Sequence, residues 1–165
     1  MADTAPSPDS PNSDISIRVE TEMTRLLYRA SYLGLITNSV LSFLLAVGLT
    51  SVDWRIKGSW LGAVIIVSLL RGALSRAFNR LSPAETKLKK WRVGFIIGSS
   101  SAAVLWGWSG VYFFDVQDTF HSLLVVMMIV GMNAGASRSL SPVPLSYQIY
   151  VALTMGPASL LFLVI

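Results

Sequence analysis

Asn38, Asn133 and the run Ser99-Ser100-Ser101 are amides and hydroxyls set inside long apolar stretches. None of them titrates near neutral pH, so their chemistry is hydrogen bonding. Asn38 follows Arg29 by nine residues, about 13 Å at about 1.5 Å per helical residue. The three serines follow Arg92 by seven to nine residues, and Asn133 precedes Arg138 by five. This register predicts one polar layer at a common depth. It can serve a small ligand, or it can tie helices together by hydrogen bonds, and the second use is the more economical in an apolar medium.

Reactive chemistry is scarce. The chain has no cysteine and one histidine, His121, so no metal cage is expected and no cofactor is implied. No serine is spaced to face a general base, so no catalytic residue is assigned and no enzyme activity is expected. An ion-coupled pump would place carboxylates or histidines within its spans, and the interiors of the first, third, fourth and fifth stretches carry none. His121 can form a pH-sensitive pair with Asp115 or Asp118, or simply be solvated.

Two further groups suit packing. Gly94 and Gly98 form one Gly-x-x-x-Gly pair and Gly131 with Gly135 another, which predicts a tight seam between the third and fourth helices. Trp106, Trp108 and Tyr112 gather at one end of a span, where such rings line a pocket or the membrane interface.

These residues need apolar elements to carry them. The chain of 165 residues is 53% hydrophobic and 13% charged, with mean hydropathy +0.60. Its apolar residues fall in five blocks, about 31–52, 60–78, 93–114, 121–137 and 144–165. That predicts an all-α, polytopic transmembrane bundle with residues 31–165 as one domain. Arg71 lies inside the second block, where its stem is expected to snorkel toward headgroups. The net charge of +4 sits on the block flanks, which points to lipid rather than nucleic acid. Eleven of the thirteen bases fall on the side shared by the N-terminus and the second and fourth connections, with only Arg55 and Lys57 opposite. Positive-inside sorting then predicts an inner-membrane protein with a cytoplasmic N-terminus.

Residues 1–14, rich in Pro, Ser and Asp, read as a disordered tail, and 15–30 as an amphipathic juxtamembrane helix. Ser82, Pro83 and Glu85 form a capping-box pattern that predicts a third helix starting near Pro83. Because the last block stops in "SLLFLVI" without a polar flank, truncation before a sixth span is expected.

Several segments taken together, "TRLLYRASYLGLITNSVLSFLLAV", "WRVGFIIGSSSAAVLWGWSGVYFF" and "GMNAGASRSLSPVPLSYQIYVALTMGPASLLFLV", resemble the N-terminal membrane region of proteobacterial signalling proteins. There it precedes histidine kinase, diguanylate cyclase or phosphodiesterase domains. The resemblance implies a six-span sensory or anchoring module of a two-component or cyclic-di-GMP protein, homodimeric through helix packing and covalently joined to a cytoplasmic output domain. None of those output motifs stands in this chain. The competing expectation is a small passive transporter or channel lined by the polar layer, and a third is an anchor that senses nothing.

Overall fold

The computed structural model describes residues 11–81, 88–141 and 143–164. They form five α-helices and, among the described residues, no strand. These are α1 (Pro11–Gly48), α2 (Trp54–Leu81), α3 (Leu88–Tyr112), α4 (Thr119–Leu140) and α5 (Pro144–Val164). The capping-box residues Ser82, Pro83 and Glu85 lie outside the described residues, as do residues 1–10.

Local chemistry sets the helix starts. Asp53 accepts the Arg55 N–H at 2.7 Å and caps α2, which therefore begins six residues before the apolar block predicted to start at Trp60. Asp118, in extended conformation, accepts the His121 N–H at 3.1 Å and caps α4. α5 opens on Pro144, a residue suited to a first helical turn because it has no N–H to satisfy. α1 ends at Gly48, and Lys57 Nζ donates to the Leu49 carbonyl at 2.8 Å just beyond that end.

A second boundary also differs from expectation. The juxtamembrane helix and the first span, predicted as separate elements, are one continuous α1 of 38 residues. No proline stands at this junction, and the helix continues through Gly34.

The helices pack as a closed circle in the order α1, α2, α3, α5, α4 and back to α1. The most extensive pairing is α3 with α5. The seam predicted between α3 and α4 is slight, because α5 stands between them in the circle. Gly94 and Gly98 face Leu74 and Arg71 of α2, while Gly131 and Gly135 face Leu41 and Thr37 of α1.

The close approach lies elsewhere. A Cβ at Gly107 would overlap the backbone carbonyl oxygen of Leu153 in α5, and would press on Pro157 Cγ at 3.2 Å. Pro157 is four residues after Leu153 and has no N–H to offer that carbonyl. The α3–α5 crossing is thus built on a glycine meeting a proline-modified helix.

Three helical stretches are long and apolar enough to cross a membrane: Glu22–Gly48, Trp54–Leu81 and Thr119–Leu140. The distribution of side chains agrees with that. Leu33, Met127 and Leu163 lie at least 70% exposed on the outside, while Asn38, Ser42 and Thr154 are at most 1% exposed within. In water such an arrangement would cost free energy on both counts; in lipid the apolar exterior is solvated and the polar interior is paired.

Candidate functional site

α1 carries Asn38 into the centre of the bundle, where the amide joins three helices. Its Nδ2 donates to Ser68 Oγ of α2 at 2.7 Å, and its Oδ1 accepts from Trp106 Nε1 of α3 at 2.6 Å. The indole is fully buried and meets Trp60 edge-on at 5.4 Å. Trp60 Nε1 in turn donates to the Leu105 carbonyl at 2.9 Å, a second polar tie between α2 and α3. Burying these groups would be costly if they were unpaired, so the joint holds α1, α2 and α3 in one register.

Asn133 makes a second, separate joint. Its Oδ1 accepts from Thr154 Oγ1 of α5 at 2.9 Å, and its Nδ2 donates to the Ile129 carbonyl of its own helix at 2.9 Å. The single layer predicted from sequence is therefore two joints, one across α1–α2–α3 and one across α4–α5. The serines of α3 bridge neither. Ser99 Oγ donates to the Ile96 carbonyl at 3.0 Å and Ser101 Oγ to the Ile97 carbonyl at 2.9 Å, while Ser100 is half-buried beside them. A serine in a helix readily returns its hydroxyl to the preceding turn, and spacing from Arg92 carries no information about that choice.

Toward the first turns of α3, aromatic rings fasten α1, α2 and α3. Tyr28 stacks on Phe78 at 4.0 Å and meets Trp91 and Phe95 edge-on. Its hydroxyl donates to the Trp91 carbonyl at 2.9 Å, and Ser75 Oγ donates to the Tyr28 carbonyl at 3.3 Å. At the other end, Trp108 and Tyr112 are exposed and stacked at 5.9 Å. They line a shallow surface pocket with Arg55, Ile56 and Trp60, whereas Trp106 faces inward to Asn38.

His121 is buried rather than solvated. Its Nδ1 contacts Asp118 Oδ2, and its Nε2 lies 3.5 Å from Thr50 Oγ1 in the turn after α1. The Asp118 carboxyl is held below the usual carboxylate range, first by the His121 backbone N–H and then by its ring. Asp115 instead caps the turn before α4, accepting the Gln117 N–H at 2.9 Å.

Arg71 runs along the face of α3, from Gly98 toward Phe95. Its Cγ fills the space that a Cβ at Gly98 would need, and its guanidinium lies over the Phe95 ring, 5.9 Å from the centroid. Gly98 opens that path.

A groove of about 600 Å³ runs between α1 and α2 on the outer surface. Leu35, Ile36, Val40 and Ile65 form its walls, Ser68 its inner floor, and Arg76 and Asn79 lie toward the end of α2. The serine at that floor is the one that Asn38 holds. Among the described residues no cluster of three metal-ligating side chains occurs. Partners such as Ser68 and Thr154 were not singled out from sequence, although each stands inside an apolar block where a hydroxyl needs an acceptor. Compared with protein-family models, curated proteins and solved structures, the chain matches none.

Proposed function

We propose that this chain is the membrane-embedded sensory or anchoring module of a bacterial signal-transduction protein, crossing the inner membrane with its N-terminus in the cytoplasm. The observation that carries this reading is the continuity of α1 from Pro11 to Gly48, together with its attachment at Asn38 to α2 and α3. At about 1.5 Å per residue the helix is roughly 57 Å long, against a hydrocarbon core of about 30 Å. A displacement at the Asn38 joint is passed along one continuous helix to a juxtamembrane segment. The α1–α2 groove gives an apolar cue access to that joint, since its floor is Ser68. Five crossings, dimerisation through the apolar face of α1 and a cytoplasmic kinase or cyclic-di-GMP output domain complete the proposal.

Both buried amides are spent on bonds within the bundle, which leaves a passive facilitator with little to line a path. The test is to express the product of the complete reading frame and measure its output with native Asn38 and with Asn38→Leu. Cue-dependent output that becomes constitutive or silent in the variant supports the module. A reading frame that stops at Ile165, combined with solute flux in liposomes that Asn133→Leu abolishes, would replace it with the facilitator.

A further inference from the structure

Arg71 introduces a cation that the joints described above do not use. It lies ten residues before the end of α2, is half-buried, and sets its guanidinium over the Phe95 ring. Among the described side chains no acid faces it: Glu22, Asp53, Asp115 and Asp118 all lie in the N-terminal part of α1 or in the turns after α1 and α3. From α2 the neighbouring bases Arg76 and Arg80 are exposed and from α5 the titratable neighbour is Tyr150. The face of Phe95 offers only weak compensation for a cation removed from water.

Beside Arg71 is a cavity of about 30 Å³ that also touches Gly34, Thr37, Gly135, Ser139 and Tyr150. The two glycines create room; a Cβ at Gly34 would reach Ser139 Oγ at 3.8 Å. Its polar side chains are one guanidinium and three hydroxyls, set among the apolar Met132, Ala136 and Leu140; the Ser139 hydroxyl is turned to the Gly135 and Ala136 carbonyls of its own helix, which leaves Arg71, Thr37 and Tyr150 as donors. A cavity needs roughly 10 to 15 Å³ to hold one water, so this one takes one or two particles of that size and no polyatomic metabolite.

We propose that this cavity binds a small monovalent anion of halide size, with Arg71 as its counter-charge and Tyr150 as a second donor. The anion joins α1, α2, α4 and α5 at one point and supplies a counter-charge that no described side chain gives Arg71. This inference does not rest on the signalling reading and stands whatever domain follows the bundle.

The native chain, purified in an uncharged detergent, is melted in chloride, bromide or gluconate at equal ionic strength. Chloride and bromide are expected to raise the midpoint by several degrees in a saturable way, and gluconate, too large for the cavity, is not. Arg71→Gln is expected to abolish the difference, Arg71→Lys to keep part of it, and Tyr150→Phe to weaken the half-saturating concentration several-fold. Equal midpoints in chloride and gluconate overturn the site, as does a difference that persists undiminished in Arg71→Gln. Should that variant fail to fold, bromide anomalous scattering from the native chain decides: a peak at the guanidinium supports the site, and no peak there sinks it.

Discussion

Gly107 and Gly131 both stand inside apolar helices, yet they meet very different neighbours. Gly131 belongs to a Gly-x-x-x-Gly pair, and a Cβ there would sit 3.9 Å from Leu41, in ordinary contact. Gly107 belongs to no such pair, and a Cβ there would collide with the backbone of α5. The difference lies in the partner helix. Opposite Gly131 is the tip of a leucine that can rotate away; opposite Gly107 is the Leu153 carbonyl, beside a proline that cannot bond it. Glycine spacing within one helix reports that a backbone is bare, not that another backbone has come to meet it.

Gly107→Ala breaks this contrast most severely. Neither backbone can yield without moving a helix, so the substitution is expected to cost about 3 kcal/mol or more in reversible unfolding from detergent micelles. A loss below that of Gly131→Ala would invert the comparison.

Next comes the joint on the same helix. Asn38→Leu removes both interhelical bonds at once and strands the Ser68 hydroxyl and the Trp106 N–H, so about 2 kcal/mol is expected in the same assay. Asn133→Leu should cost less, about 0.6 to 1 kcal/mol, because Thr154 keeps the Tyr150 and Val151 carbonyls at 3.0 and 3.1 Å. Equal losses for the two asparagines would mean that the α4–α5 joint holds more than its geometry suggests.

Gly131→Ala and Gly135→Ala complete the other arm. Both side chains have room, and each change is expected to stay within about 0.5 kcal/mol. A large loss at either would show that α1 and α4 approach more closely than 3.9 Å implies.

The smallest effect is one of pH. Asp118 titrates below its unfolded value, so its cap is fully present above about pH 4 and is lost as pH falls through the lowered folded value. Thermal midpoints taken from pH 7 down to pH 3 should fall more for the native chain than for Asp118→Asn, which caps without titrating. Identical curves would remove the carboxylate from the account.

How much of this was legible follows from which interactions are local. The five apolar blocks read directly as helices, and three of the helices hold a stretch long and apolar enough to cross a membrane. Asn38 and Asn133 stood out because an amide in an apolar run needs a partner. Their partners did not, since Ser68, Trp106 and Thr154 are chosen by how helices rotate against one another, a tertiary property without a period. The serines of α3 show the converse: Ser99 and Ser101 look alike to Asn38 in depth but satisfy themselves on the previous turn. The path of Arg71 was not legible for a related reason. A long stem in a span has two exits, and only the missing side chain at Gly98, on another helix, decides between them.

The α3–α5 crossing also carries a lesson in heredity. Because the Leu153 carbonyl stands opposite Gly107 where Pro157 withholds its N–H, the permissible residues at 107 and 157 are conditional on each other. An alanine or leucine at 157 would return the carbonyl to its own helix, and an alanine at 107 would then meet a different surface. Positions 107 and 157 therefore constrain one surface jointly, and a substitution at either is read correctly only with the other in view.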